Sequence, residues 1–230
     1  MHKETLKDLI LFRTSNEGKY VSLKEYAENM KDGQSDIYYA SGESIERIEI
    51  LPQVEAMKSR GYEILYLTDD VDEFAIKVLG TYAEKSFKNV TAEAIDLSSE
   101  DEKNNVRDKN ESLGDMLSAM KDAIGSVSAV KFTSSLGEHP VCLSSEGELS
   151  FEMEKVLKKM PGAEDGAPSA SIVLEINVNH PISERLAALY DSDKDKLAKY
   201  AKILYGEACL ISGIAIENPK EFGKLITELM

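Results

Sequence analysis

The densest group of chemically competent side chains is Asp69-Asp70-Val71-Asp72-Glu73. It follows the apolar run Tyr62 to Leu67, which reads as a strand, so the acids fall at a strand's carboxyl end. Ligands of open α/β sheets collect at that edge, and paired carboxylates there can hold Mg²⁺ or accept a phosphoryl group. The simpler role is local: Asp69 or Asp70 caps the next helix while the others complement its dipole. No second acidic cluster at a matching strand end supports the chemical role. Cys142 and Cys209 lie in apolar runs far apart and read as reduced core thiols. His2, His139 and His180 have no metal-ligand spacing. Gly42, Gly61 and Gly80 are isolated, so neither a phosphate-cradling loop nor a dinucleotide fingerprint occurs. A catalytic constellation does not emerge.

What the sequence does concentrate is apolar helix surface. Between Lys194 and Ser212, the residues Leu197, Ala201, Leu204, Ala208 and Ile211 join Tyr200, Ile203 and Tyr205 in ringing most of a helix. A helix that is apolar on nearly every side must be covered on nearly every side. The last segment, from Pro219, adds Phe222, Leu225, Ile226 and Leu229 at helical spacing. Two routes cover such a pair: burial within one subunit, or an isologous four-helix bundle with a second copy. The second is the expectation, a homodimer. A further stripe, Leu149, Met153, Val156, Leu157 and Met160, is opposed by Glu152, Glu154, Lys155, Lys158 and Lys159. It packs on its own core or meets partners, and methionine suits surfaces that accept many of them.

The elements that position these residues follow from periodicity and punctuation. Ser22 to Met30 reads as a helix with a Ser22–Glu25 capping box, ended by Gly33. Asp36 to Ala40 and Tyr62 to Leu67 read as strands, with a third from Asn89 to Leu97. Between the first two lies a helical stretch that Pro52 divides and Gly61 closes; Val71 to Tyr82 is the next helix. Alternating strands and helices imply a small parallel sheet covered by helices. Residues 99–112 are almost wholly polar and read as a linker or an exposed helix start. Beyond them come a helix from Leu113, strands near Val127–Phe132, Pro140–Ser144 and Ser171–Asn177, and helices over the remainder. The fold class expected is α/β plus α+β. A small three-layer α-β-α domain (1–98) precedes a mixed α+β domain (113–230) that ends in a helical dimerisation pair.

With 27 basic against 42 acidic residues, the net charge of −15 repels phosphate backbones and anionic lipid. Neither nucleic acid nor a membrane is an expected partner. Without a leader or a membrane-length apolar run, the sequence reads as cytoplasmic.

Several segments together resemble the 90-kDa heat-shock chaperone family. They are Ser22-Leu23-Lys24-Glu25-Tyr26 with Met30 to Gln34, Asp36-Ile37-Tyr38-Tyr39 with Ser41 to Ser44, and Gly61 to Asp69 with Val71-Asp72-Glu73-Phe74. In the second half, Leu174-Glu175-Ile176-Asn177 with Asn179 to Ile182, and Glu217-Asn218-Pro219, match family signatures. Order and spacing hold from about Leu6 onward, and the ending at Glu228-Leu229-Met230 resembles the bacterial branch. The resemblance implies the end of the family's middle domain followed by its C-terminal dimerisation domain. It also implies that ATP and Mg²⁺ belong to an N-terminal domain outside these residues. This portion would hold no cofactor and would not itself be an enzyme. By the same resemblance, Glu73, Phe74 and Lys77 match the surface that contacts unfolded client proteins, with Phe and Lys where the bacterial pattern has Trp and Asn. Leu149, Met153, Val156 and Leu157 match an exposed amphipathic helix facing the cleft between subunits. The expected function is therefore dimerisation and client binding within an ATP-dependent chaperone. Two alternatives stand beside it: an α/β enzyme or regulatory domain using Asp69 to Glu73, and a purely structural dimerisation module.

Overall fold

The structure, a computed structural model, describes residues 7–16, 18–92, 99–147, 149–160 and 168–229. Leu11–Thr14 (β1) and Tyr20–Ser22 (β2) pair antiparallel, and Ser22 then caps helix α1, Leu23–Glu28. Ser22 and Glu25 satisfy each other's backbone N–H groups in a capping box, as their spacing predicts. Ile37–Ser41 (β3) leads to a short helix, Ile45–Glu49 (α2), and a second, Pro52–Ser59 (α3). Pro52 occupies the first turn of α3, where its missing N–H costs nothing. Gly61, at φ 76°, turns the chain out of that helix into Leu65–Leu67 (β4).

Helix α4, Asp72–Leu79, follows, then a hairpin of Thr81–Tyr82 (β5) and Lys85–Asn89 (β6). The six strands lie in the order β2-β1-β4-β3-β6-β5, with β4, β3 and β6 mutually parallel and the edges antiparallel. The third parallel strand is thus Lys85–Asn89 rather than the stretch beginning at Asn89; residues 93–97 of that expectation lie outside the described ones. Ile37, Tyr38, Tyr39 and Ala40 are all buried, as are Leu65, Tyr66 and Leu67. Successive strand residues point to opposite faces, so the sheet centre is covered on both. One face holds the core of Phe12, Leu23, Tyr26, Tyr39, Leu67 and Ile76.

Helices α5 (Glu100–Ser112) and α6 (Gly114–Ile124) come next, then strands β7 (Ala129–Thr133) and β8 (Val141–Glu146). The polar stretch 99–112 is therefore helix, opened by a Ser99–Glu102 capping box and burying no side chain. The remaining elements are α7 (Phe151–Lys159), β9 (Ser171–Asn177), α8 (Ile182–Ser192), α9 (Lys194–Ile211) and α10 (Pro219–Leu229). The second sheet runs β7-β9-β8, parallel on one side of β9 and antiparallel on the other.

By contacts the chain divides into two units. Residues 1–93 group with 147–170, and 94–146 with 171–230. Helix α7 therefore belongs with the six-stranded sheet, whereas its sequence position suggests the second domain. In the second unit, α9 packs on α6, α8, α10 and β8, and α6 packs on β7.

Candidate functional site

Helix α4 presents two faces with different chemistry. Glu73, Ile76 and Leu79 point inward, with Glu73 only 4% exposed. Val71, Phe74 and Val78 recur at helical spacing on the other side; both valines are 69% exposed, Phe74 is half-buried, and Lys77 is exposed. Sequence reasoning marks Glu73, Phe74 and Lys77 together as surface. The structure separates Glu73 from the other two. The available signal is its spacing, since Glu73 lies three residues before buried Ile76 and so shares its side of the helix.

The Glu73 carboxylate is a junction. Its Oε1 accepts from Tyr39 Oη at 3.3 Å and Asn89 Nδ2 at 3.1 Å. Its Oε2 accepts from Ser41 Oγ at 3.0 Å and Ser150 Oγ at 2.6 Å. Strands β3 and β6 and the start of α7 thus converge on one side chain. Burial, and then the carboxylate itself, push the Tyr39 hydroxyl far above its ordinary pKa, so it stays a donor.

Ser150 also caps α7: its Oγ accepts from Met153 N at 3.1 Å, while the residue's own backbone is extended. One hydroxyl therefore starts the helix and fastens it to Glu73. Met153 is 7% exposed, whereas Leu149, Phe151, Val156 and Leu157 are half-buried and Met160 is 49% exposed. Phe74, Met153 and Val156 share a cleft with Ser41, Gly42 and Leu67, and about 40 Å³ of it stays open. That admits a few waters but no peptide segment.

The other acids do not form a ligand cage. Val71, without a side-chain bond, is the N-cap of α4, so neither Asp69 nor Asp70 caps it. Asp72 Oδ2 instead accepts from Asp69 N at 3.2 Å. Among the described residues no three His, Cys, Asp or Glu side chains are placed to hold a metal ion, and Glu73 spends its acceptors on the neutral donors above. An acidic Mg²⁺ or phosphoacceptor site at Asp69–Glu73 has no support in this geometry.

In the second unit, the residues marked for an interface fall into two groups. Leu197, Ala201, Leu204 and Ala208 are at most 4% exposed within the single chain. Their stripe faces the unit's own core, so in this conformation they cannot also meet a second copy. Ile211, Phe222, Leu225 and Leu229 are half-buried, Ile226 is 36% exposed, and α10 buries no residue at all. Leu210, at 55% exposure, joins this outward set. Helix α10 meets α9 where Phe222 covers Gly206: a Cβ there would lie 2.4 Å from Phe222 Cε2. Glycine is what lets the two helices approach.

No helix among the described residues is long and apolar enough to cross a membrane. The sequence profile of the Hsp90 protein family matches residues 1–230. The chain is 49% identical to the chaperone protein HtpG of Clostridium perfringens (strain 13 / Type A) and 50% identical to that of Clostridium acetobutylicum. It is 46% identical to that of Natranaerobius thermophilus. Each alignment covers all of this chain and 36% of the relative, so the chain spans little more than a third of those proteins. A profile match over every residue, with near-half identity to such relatives, makes this chain a member of the Hsp90 family.

Proposed function

We propose that this chain is the client-binding and self-pairing portion of an ATP-dependent chaperone, comprising the end of a middle domain and a C-terminal dimerisation domain. In that reading the first unit is a three-layer α-β-α domain, and ATP and Mg²⁺ are held elsewhere in the full protein. A cytoplasmic setting accords with two buried cysteines outside any disulfide. The observation that carries client binding is the apolar line Val71, Phe74 and Val78 on the outer side of α4, beside the amphipathic helix α7. Non-native proteins expose apolar segments, and such a line binds them by removing both surfaces from water. The surrounding acidic surface keeps the complex soluble. Self-pairing draws on α10 and the outward residues of α9, which lack cover in one chain.

The decisive measurement is suppression of aggregation of a chemically denatured protein by the 230-residue chain. Phe74→Ser and Met153→Ser are expected to weaken suppression several-fold. Full suppression by both variants would remove the client face from this part of the molecule.

A further inference from the structure

Helix α7 sits on its unit like a cover rather than a wall. The core around Phe12, Tyr26, Tyr39 and Ile76 contains no residue of α7. Met153 is the one side chain α7 buries. Its outward pair, Lys155 to Glu43 at 3.4 Å, is exposed and contributes little. The strong attachment is the short hydrogen bond from Ser150 to Glu73, whose bonding partners include no cation. Helix α7 lines the cleft beside Phe74 with Met153 and Val156, while Val71 and Val78 on α4 remain exposed.

We propose that α7 is a displaceable self-ligand. It covers the Phe74 face in the resting chain, is latched by Ser150 to Glu73, and is exchanged for the apolar segment of a non-native protein. Val71 and Val78 give the incoming segment its first contacts. Release exposes Phe74 on α4 and Met153 on α7 together, so one opening creates both halves of an apolar seat. This rests on the client-binding reading above and adds to it a closed state with a named latch.

The test pairs two readouts on the full chain: hydrogen exchange of the α7 amides, and binding of fluorescently labelled carboxymethylated lactalbumin, which stays unfolded. Ser150→Asp keeps a cap for α7 but sets a second carboxylate against Glu73. It should speed α7 exchange by roughly tenfold, the size expected for one buried hydrogen bond, and tighten probe binding in proportion. Ser150→Ala, which adds no charge, should move both readouts the same way by less. Ser150→Asn, with an acceptor for the cap and a donor for Glu73, should restore wild-type values. Unchanged exchange in Ser150→Asp overturns the latch. Faster exchange with equal or weaker probe binding overturns the cover. The client reading fails separately: it falls if Phe74→Ser, added to Ser150→Asp, leaves probe binding intact, whatever exchange shows about the latch.

Discussion

Helices α7 and α10 are both short, both amphipathic, and end in opposite conditions. In α7, Met153 is buried and the capping hydroxyl of Ser150 reaches a buried carboxylate in its own unit. In α10 no residue is buried, and beyond the Phe222–Gly206 contact its bonds to α9 are the exposed pairs Lys199–Glu228 and Lys202–Glu221. The apolar spacing of the two helices is alike. What differs is the polar anchor: a directional bond fixes where α7 rests, while α10 has contact area and exposed charge alone. A stripe says that a helix wants cover, and an anchor says whose cover it has.

Helix α9 gives the sharpest way to break that contrast, because its inner stripe is already covered. Leu204→Ala should cost about 2–5 kcal/mol of folding stability, read as a lower denaturant midpoint for the second unit. If the midpoint holds and only self-association is lost, the inner and outer faces of α9 have been exchanged. Next in size is the helix contact itself. Gly206→Val puts its Cβ against the ring edge of Phe222 and should cost about 1–3 kcal/mol. Adding Phe222→Ala should return a good part of that loss, because the two changes share one clash. Additive losses would mean that the close approach of α9 and α10 does not exist in solution. In the first unit, Glu73→Ala leaves the buried Tyr39 hydroxyl and Asn89 amide without their acceptor, at about 1–3 kcal/mol. A thermal midpoint within error of the parent would show that the junction holds nothing.

Much of the first unit was legible, because its signals are local. The Ser22–Glu25 box, the division at Pro52 and the left-handed glycines 33 and 61 each follow from a few adjacent residues. Strands β3 and β4 announce themselves by unbroken apolar runs. The β5–β6 hairpin does not. Its two-residue turn is Ala83-Glu84, both at positive φ, where Asn-Gly would have marked the same geometry. Strands β1 and β2 are short and lie toward one edge of the sheet, with alternating or partial burial that few residues can display. Family resemblance points to Phe74 and Met153 as client contacts, but says nothing of Glu73 turning inward or of Ser150 meeting it. The first is signalled only by the spacing of Glu73 from Ile76, and the second joins residues 77 positions apart in sequence. Likewise, the apolar ring of α9 was plain, yet its spacing could not say that Leu197, Ala201, Leu204 and Ala208 face their own sheet and helices. Periodicity is a property of one helix, and cover is a property of two.

The smallest effect on folding is expected where exposure is greatest, and there the comparison of α7 with α10 can be refined. Ile226 is 36% and Leu210 55% exposed in one chain, so Ile226→Ser and Leu210→Ser should each change folding stability by no more than about 0.5 kcal/mol. If α10 is covered by a second copy, the same changes remove apolar area from an interface, and each should raise the dimer dissociation constant roughly tenfold. Sedimentation across a dilution series separates the two readouts, since association depends on concentration and the fold of one subunit does not. Ser150→Asp in the same series should leave the dissociation constant alone, because the Ser150 hydroxyl bonds to Glu73 in its own unit and takes no part in α10. Dissociation caused by the Ser150 change, with none from Ile226 and Leu210, would place self-pairing on α7 and reverse the roles of the two helices.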